Sequence, residues 1–165
     1  MEAAVYCLKG HFVGILNEVI RGRSWHETKI LLENPREPKQ LPRFCTKCGA
    51  MNVSACQHCQ VAIEKQYPGE IPAYCGGCGK PFPWTETALA AAKEYTDELE
   101  ALNAEEKVAL KGTFGDLTSD TARTPVAANR FNNLVKKIGP VAGGVLKQIV
   151  VSVATEAAKK SIGLP

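Results

Sequence analysis

The sequence predicts a small, metal-stabilised α+β fold, and three observations carry that prediction. Seven cysteines and one histidine fall into four pairs: Cys7-x-x-x-His11, Cys45-x-x-Cys48, Cys56-x-x-Cys59 and Cys75-x-x-Cys78. All seven cysteines precede residue 79, and alanine, lysine and glutamate take over from Thr85. Aromatic residues make up only 7% of the 165-residue chain, so the first half cannot bury enough hydrocarbon to fold without its metals. The expected architecture is two zinc ribbons of short antiparallel hairpins over residues 1–84, then a bundle of about four helices over 85–165.

An odd number of cysteines strands one thiol in any disulfide framework, whereas His11 supplies an eighth donor and completes two sets of four. Two residues between cysteines let the chain turn back so that both thiolates reach one ion at about 2.3 Å. Gly49 and Gly79 follow two of the pairs, where a positive φ turns backbone N–H groups toward sulfur. Sequential pairing assigns Cys7, His11, Cys45 and Cys48 to one structural Zn2+ and Cys56, Cys59, Cys75 and Cys78 to a second. A cross-braced pairing, first pair with third and second with fourth, is the alternative that spacing leaves open.

Taken in order, Val5 to Cys7 reads as a strand entering the first turn and Phe12 to Leu16 as the strand leaving it. Ser24 with Glu27 is a capping-box pattern, and it predicts a short inserted helix over 25–33, within an insertion near 24–34. Residues 35–42, rich in proline and charge, read as a connector. Phe44 and Tyr74 each precede a cysteine pair and are expected to cover the metals, while Phe82, Pro83 and Trp84 close the ribbon region.

Thr85 is expected to cap a helix whose stripe is Ala88, Ala92, Tyr95, Leu99 and Leu102. Asn103 with Glu106 caps a second, expected to run to Lys111 and stop at Gly112. Thr124-Pro125 starts a third, bearing Ala127, Phe131, Leu134 and Ile138 and ending at Gly139. Pro140 opens a last helix to about Ile162, with Val145, Leu146, Ile149, Val150, Val153, Ala154 and Ala157 on a broad apolar face.

The formal charge of +3 treats the thiols as neutral. Seven thiolates and two divalent cations together remove three positive charges, which brings the loaded chain to about zero and weakens any general attraction to polyanions. An asymmetry persists: residues 85–122 hold three basic and nine acidic side chains, and residues 123–165 seven basic and one acidic. The start Met1-Glu2-Ala3-Ala4 lacks the basic and apolar regions of a signal peptide, so the thiols are expected in a reducing cytoplasm. Lys147, Glu156 and Lys159 interrupt the one candidate for a spanning segment.

Eight donors in two full sets leave no open metal position, so catalysis is not expected and no catalytic residue is assigned. His58 is expected to be exposed and idle, and His26 receives no role. Outside the metal sites, Trp84, Asp120, Arg123 and Arg130 are the candidate interaction residues. The last three belong to or follow the hydroxyl-rich run Thr118-Ser119-Asp120-Thr121-Ala122-Arg123-Thr124-Pro125. Its plainer reading is a loop that caps two helices around an internal Asp–Arg pair.

Cys7-Leu8-Lys9-Gly10-His11, Phe44-Cys45-Thr46-Lys47-Cys48-Gly49, Cys56-Gln57-His58-Cys59 and Pro72-Ala73-Tyr74-Cys75-Gly76-Gly77-Cys78-Gly79-Lys80-Pro81 together resemble an uncharacterised bacterial zinc-ribbon family, domain of unknown function 2321. Pro83-Trp84-Thr85 and the stretch from Ser119-Asp120-Thr121 to Arg130-Phe131 extend the likeness, with a longer insertion around 17–42 as the departure. The resemblance implies a bacterial zinc-ribbon protein with a helical tail and brings no activity. The expected role is a non-catalytic recognition or adaptor module with a protein partner. Nucleic-acid binding through Arg21, Arg23, Arg43, Lys47 and Lys65, with Tyr67 or Trp25 for stacking, is the first alternative. Membrane association through the apolar face of 140–162 is the second.

Overall fold

A computed structural model describes residues 3–16, 41–64 and 71–163. The inserted helix expected over 25–33 lies outside the described residues, as do Arg21, Arg23, Trp25, His26, Lys65 and Tyr67. The chain divides into two compact units, Met1–Thr85 and Glu86–Pro165.

Among the described residues, the first unit has three short strands: β1 (Ala3–Cys7), β2 (Phe12–Leu16) and β3 (Asn52–Val53). They form an antiparallel sheet in the order β2-β1-β3. β1 is central and every residue in it is buried, which a sequence of small and apolar side chains, Ala3-Ala4-Val5-Tyr6-Cys7, permits on both faces. The β1–β2 register, Ala3 opposite Leu16 and Tyr6 opposite Phe12, shifts between Val5 and Tyr6. On its other edge Tyr6 faces Val53 and Cys7 faces Asn52, and the Ala4 amide donates to the Ile63 carbonyl at 2.8 Å. The first of the candidate metal-ligating thiols, Cys7, thus sits at the end of the best-anchored strand.

Trp84 is 4% exposed. Its ring stacks on Phe82 at 4.7 Å and lies 5.4 Å from Tyr6, and its indole N–H donates to the Pro72 carbonyl at 2.8 Å. The expectation that Trp84 contacts a partner is therefore corrected: the largest described side chain of a core-poor unit is used in its core. The expected cover by Phe44 is corrected too, since it is 55% exposed with the Arg43 guanidinium 5.9 Å from its ring centre. Neighbouring residues of an extended chain point to opposite faces, so the residue before an inward cysteine faces out.

In the second unit, α1 (Pro83–Glu98), whose first turn begins in the first unit, is followed by α2 (Ala104–Leu117), α3 (Thr124–Lys137), α4 (Pro140–Val151) and α5 (Glu156–Ser161). α1 starts at Pro83, one turn position that needs no N–H. Thr85 is not its cap; the hydroxyl is buried and donates to the Ala73 carbonyl at 2.9 Å. Ala92, Leu99, Leu102, Leu110, Phe114, Phe131, Val135, Leu146 and Val150 make the core, with Phe114 and Phe131 edge to face at 6.4 Å. Burying each of these phenyl rings contributes about 1.5–3 kcal/mol.

Two helix boundaries differ from expectation. α2 begins at the predicted Asn103 capping box, with the Glu106 amide donating to Asn103 Oδ1 at 2.9 Å, but it runs past Gly112 to Leu117. An interior glycine costs about 1 kcal/mol, which the burial of Phe114 and Leu117 in the following turn outweighs. The last helix is two helices, broken after Val151. There the Thr155 amide donates to the Leu117 carbonyl at 3.1 Å and the Thr155 hydroxyl accepts from the Ala158 amide at 3.2 Å, capping α5. The break turns Val153, Ala154 and Ala158 into the core and leaves Val145, expected inside, 40% exposed. Among the described residues, no helix is long and apolar enough to cross a membrane.

Gly143 and Gly144 separate the two uses of glycine. A Cβ on Gly143 would lie 2.7 Å from Val135 Cγ1 and 3.1 Å from the Val135 carbonyl oxygen, so α3 and α4 approach through it; a Cβ on Gly144 would meet nothing within 4 Å. Gly143→Ala is expected to destabilise the protein by about 1–3 kcal/mol through overpacking. Gly144→Ala should stabilise it by roughly 0.5–1 kcal/mol through helix propensity. Denaturant unfolding of the two variants checks the pair, and equal effects would contradict the close approach.

Candidate metal centre

Each Cys-x-x-Cys pair lies on the same backbone loop, so the sequence repeat is also a hydrogen-bond repeat. The first cysteine's amide donates five residues ahead, Cys45 to Ala50, Cys56 to Val61 and Cys75 to Lys80, each at 2.8 Å. Its carbonyl accepts from the residue four ahead: Gly49, Gln60 and Gly79 at 2.8, 2.9 and 2.8 Å. Isolated bridges Phe44–Met51, Ala55–Ala62 and Tyr74–Pro81 close the three loops. That fourth position requires a left-handed backbone, with φ of 69° at Gly49 and 71° at Gly79. Gln60 takes the same place at 62°, the one non-glycine residue with positive φ among those described. The sequence shows glycine at two loops of three; only the backbone shows that the third bears the strain.

The first pair is built differently. Gly10 supplies the left-handed residue before the second ligand, at φ 83°, which places His11 four residues after Cys7 at the β1–β2 turn. The His11 amide donates to Cys7 Sγ at 3.3 Å.

The loops bring the eight donors together as two groups, Cys7, His11, Cys45 and Cys48, and Cys56, Cys59, Cys75 and Cys78. Within each group the ligand atoms lie within 4.8 Å of one another. The grouping is sequential, not cross-braced. In the first, Cys7 Sγ is 3.5 Å from His11 Nδ1 and 3.7 Å from Cys48 Sγ, and Cys45 Sγ is 3.7 Å from His11 Nδ1. In the second, Cys56 Sγ to Cys78 Sγ is 3.8 Å and Cys59 Sγ to Cys75 Sγ is 3.5 Å.

These separations discriminate between chemistries. A disulfide needs about 2.05 Å between sulfurs. A tetrahedral ion with bonds of about 2.3 Å to sulfur and about 2.05 Å to nitrogen requires edges of about 3.8 Å between sulfurs and about 3.5 Å from sulfur to nitrogen. The observed edges match the tetrahedron. A set of donors this tight has room for one ion and not for a cluster of several irons.

Backbone N–H groups tune the sulfurs. Burial pushes Cys45 up, but the Lys47 and Cys48 amides and the neighbouring Cys48 and His11 side chains bring its thiol down to about 6. Cys75 is likewise opposed by burial and lowered to about 7, by the Cys78 and Gly77 amides and then by Cys59 and Cys56. The Val61 amide lowers Cys59, yet burial and the thiols of Cys75, Cys78 and Cys56 together carry it up to about 12. Burial raises Cys7. Each group therefore pairs a thiol lowered from its ordinary value with one raised above it. Cys7, Cys45, Cys56 and Cys75 are buried, Cys48 and Cys59 intermediate, and Cys78 exposed, which makes the second group the more open.

His58 is exposed, and its amide, not its ring, serves the site by donating to Cys56 Sγ at 3.4 Å. Away from the donors, Asp120, Arg123 and Arg130 are all exposed. The expected Asp120–Arg123 pair is corrected, because Arg123 Nε binds Asp116 Oδ2 at 3.1 Å, in the last turn of α2. The hydroxyls of the run are spent on the turn itself. Thr124 Oγ1 donates to the Ser119 carbonyl at 2.6 Å and accepts from the Thr121 amide at 2.9 Å, and Thr118 Oγ1 donates to the Gly115 carbonyl at 2.9 Å.

A family model described as an uncharacterised protein conserved in bacteria, DUF2321, matches residues 24–162. The matched region begins inside the 17–42 segment, so the Cys7–His11 pair that completes the first donor group precedes it. No curated protein and no solved structure matches the chain.

Two substitutions probe the loops. Gln60→Gly should stabilise the protein by about 1 kcal/mol, since it relieves a left-handed residue without removing a core contact. An unchanged or lowered thermal midpoint would refute the strain. His11→Ala should weaken metal retention in the first group alone, read by the metal content remaining after graded chelation; loss from both groups would break the sequential assignment.

Proposed function

The chain belongs to the uncharacterised bacterial family DUF2321, and we propose that it is a non-catalytic recognition module whose first unit is held by two structural zinc ions. One observation carries the reading: two closed donor groups, one of three sulfurs and a nitrogen and one of four sulfurs, with tetrahedral edges. Thiolates favour zinc over hard cations, and four protein ligands per ion leave no position for a substrate or an activated water. Free thiols in this number fit a reducing cytoplasm. In this reading the ions support the short loops, and the partner is a protein.

Nucleic-acid binding is the second reading, favoured by one feature. Arg43, Phe44 and Lys47 are all exposed on the second loop, which offers cations beside an aromatic face. The charge balance of the loaded chain opposes it. A membrane role through the last helices has less support, because Leu146, Val150 and Ala158 already face the core of the second unit.

Purified protein is expected to contain two zinc ions per chain, with chelation causing loss of structure in residues 1–84. Elemental analysis giving one metal, or iron, would overturn the assignment. Protons compete for the same thiolates, so zinc affinity should fall as pH falls, and loading apo-protein at neutral pH should acidify a weakly buffered solution. A salt titration against single-stranded and duplex oligonucleotides separates the two roles. Weak binding to both is expected; tight binding that falls steeply with salt, with a shallower slope in Arg43→Ala, would favour nucleic acid.

A further inference from the structure

A groove runs between α2 and α3 on the second unit. Two adjoining depressions, of about 240 and about 420 Å3, share Val126 and Arg130 in their walls. The α2 side runs from Ala109 to Asp116, about 10 Å of helix, which matches about three residues of extended chain.

Three features of the groove point to an occupant. Its walls include Ala109, Val126 and Leu134, and Val126 is 61% exposed. Arg130 is exposed and, among the described residues, makes no ion pair, whereas Arg123 is engaged by Asp116. Gly112 lies in the wall although α2 continues through it, and a Cβ there would meet nothing within 4 Å. Packing inside the chain therefore does not call for glycine at a position where glycine weakens the helix. A second backbone approaching that spot would.

We propose that this groove binds a short, extended acidic peptide of a partner protein, with apolar residues against Val126 and Leu134 and a carboxylate on Arg130. Asn129 and Asn133, also in the wall, carry amide groups that both donate and accept, as a peptide backbone requires. Those features favour a peptide over a polyanion: the walls hold one uncommitted cation, and Asp116 sits at one end. The inference deepens the protein-recognition reading and rests on it.

The test uses the full-length, zinc-loaded protein labelled with 15N. The probes are acetylated, amidated pentapeptides with central Glu flanked by Leu, Val and Ala, and the same set with central Gln. Amide shifts confined to residues 109–116 and 126–134, with the Gln set about tenfold weaker, are expected. Arg130→Ala should abolish the preference for Glu. Gly112→Gln should block the groove while leaving the thermal midpoint equal or higher, which separates lost binding from lost fold; Gly144→Ala is the control that changes helix propensity elsewhere. Shifts unchanged by both Arg130→Ala and Gly112→Gln, or no shifts at millimolar peptide, would overturn the groove. Peptide shifts only within residues 41–64 would overturn it and leave protein recognition standing. Shifts at 109–116 and 126–134 with an oligonucleotide and not with peptide would overturn both.

Discussion

In the zinc reading, the two donor groups are the constraint on which the first unit depends. Among its described residues before Pro83, the regular structure amounts to three strands, one of them two residues long, and the apolar contacts centre on Val5, Tyr6, Ile63, Phe82 and Trp84. Such a core contributes only a few kcal/mol against the conformational entropy of its loops. Structural zinc supplies apparent binding energies of about 10–16 kcal/mol in small peptides, comparable with the whole stability of an ordinary domain. The ions in this reading also act over distance along the chain. The first joins Cys7 to Cys48 and the second Cys56 to Cys78, so that segments 41 and 22 residues apart in sequence are held together.

The second unit shows the opposite economy. It holds no cysteine, and its helices bury a continuous core in which Phe114, Phe131, Leu110 and Leu146 are fully covered. Where this unit departs from the best helix-forming sequence, the departures are informative. Gly143 is a contact that lets two helices meet. Gly112 and Gly115 have no such neighbour, and they lie in a helix that tolerates them because its next turn is anchored. A helix weakened without a packing reason is a place where selection for something other than stability has a physical signature.

Lysine and carboxylate placement follows the charge asymmetry seen in the sequence. Lys111 binds Asp97, and Lys137 binds Glu106, which links the basic end of α3 to the acidic start of α2. Glu106 is held below the usual carboxylate range, first by the Lys137 hydrogen bond and then by the Asn103 amide. These pairs are exposed and modest in energy. Their role is orientation: Lys137–Glu106 favours the antiparallel arrangement of α2 and α3 that forms the groove, and Lys111–Asp97 ties α2 to α1.

The sequence alone determined the candidate donors, because eight of them in four short-range pairs admit few chemistries. It also determined the strand–turn–strand around Cys7 and His11, the Asn103 capping box and the start of α3 at Thr124-Pro125, since each is encoded within a few residues. What it left open was decided by contacts between distant residues. Sequential pairing needed the fold to bring Cys48 to Cys7. The burial of Trp84, the outward turn of Phe44, the extension of α2 past Gly112 and the break after Val151 each depend on neighbours far along the chain. Thr155 is held at the start of α5 by the Leu117 carbonyl, which receives its amide. Local propensity is worth tenths of a kcal/mol per residue, while a buried ring or a satisfied buried amide is worth one or more, so tertiary contacts prevail wherever the two disagree.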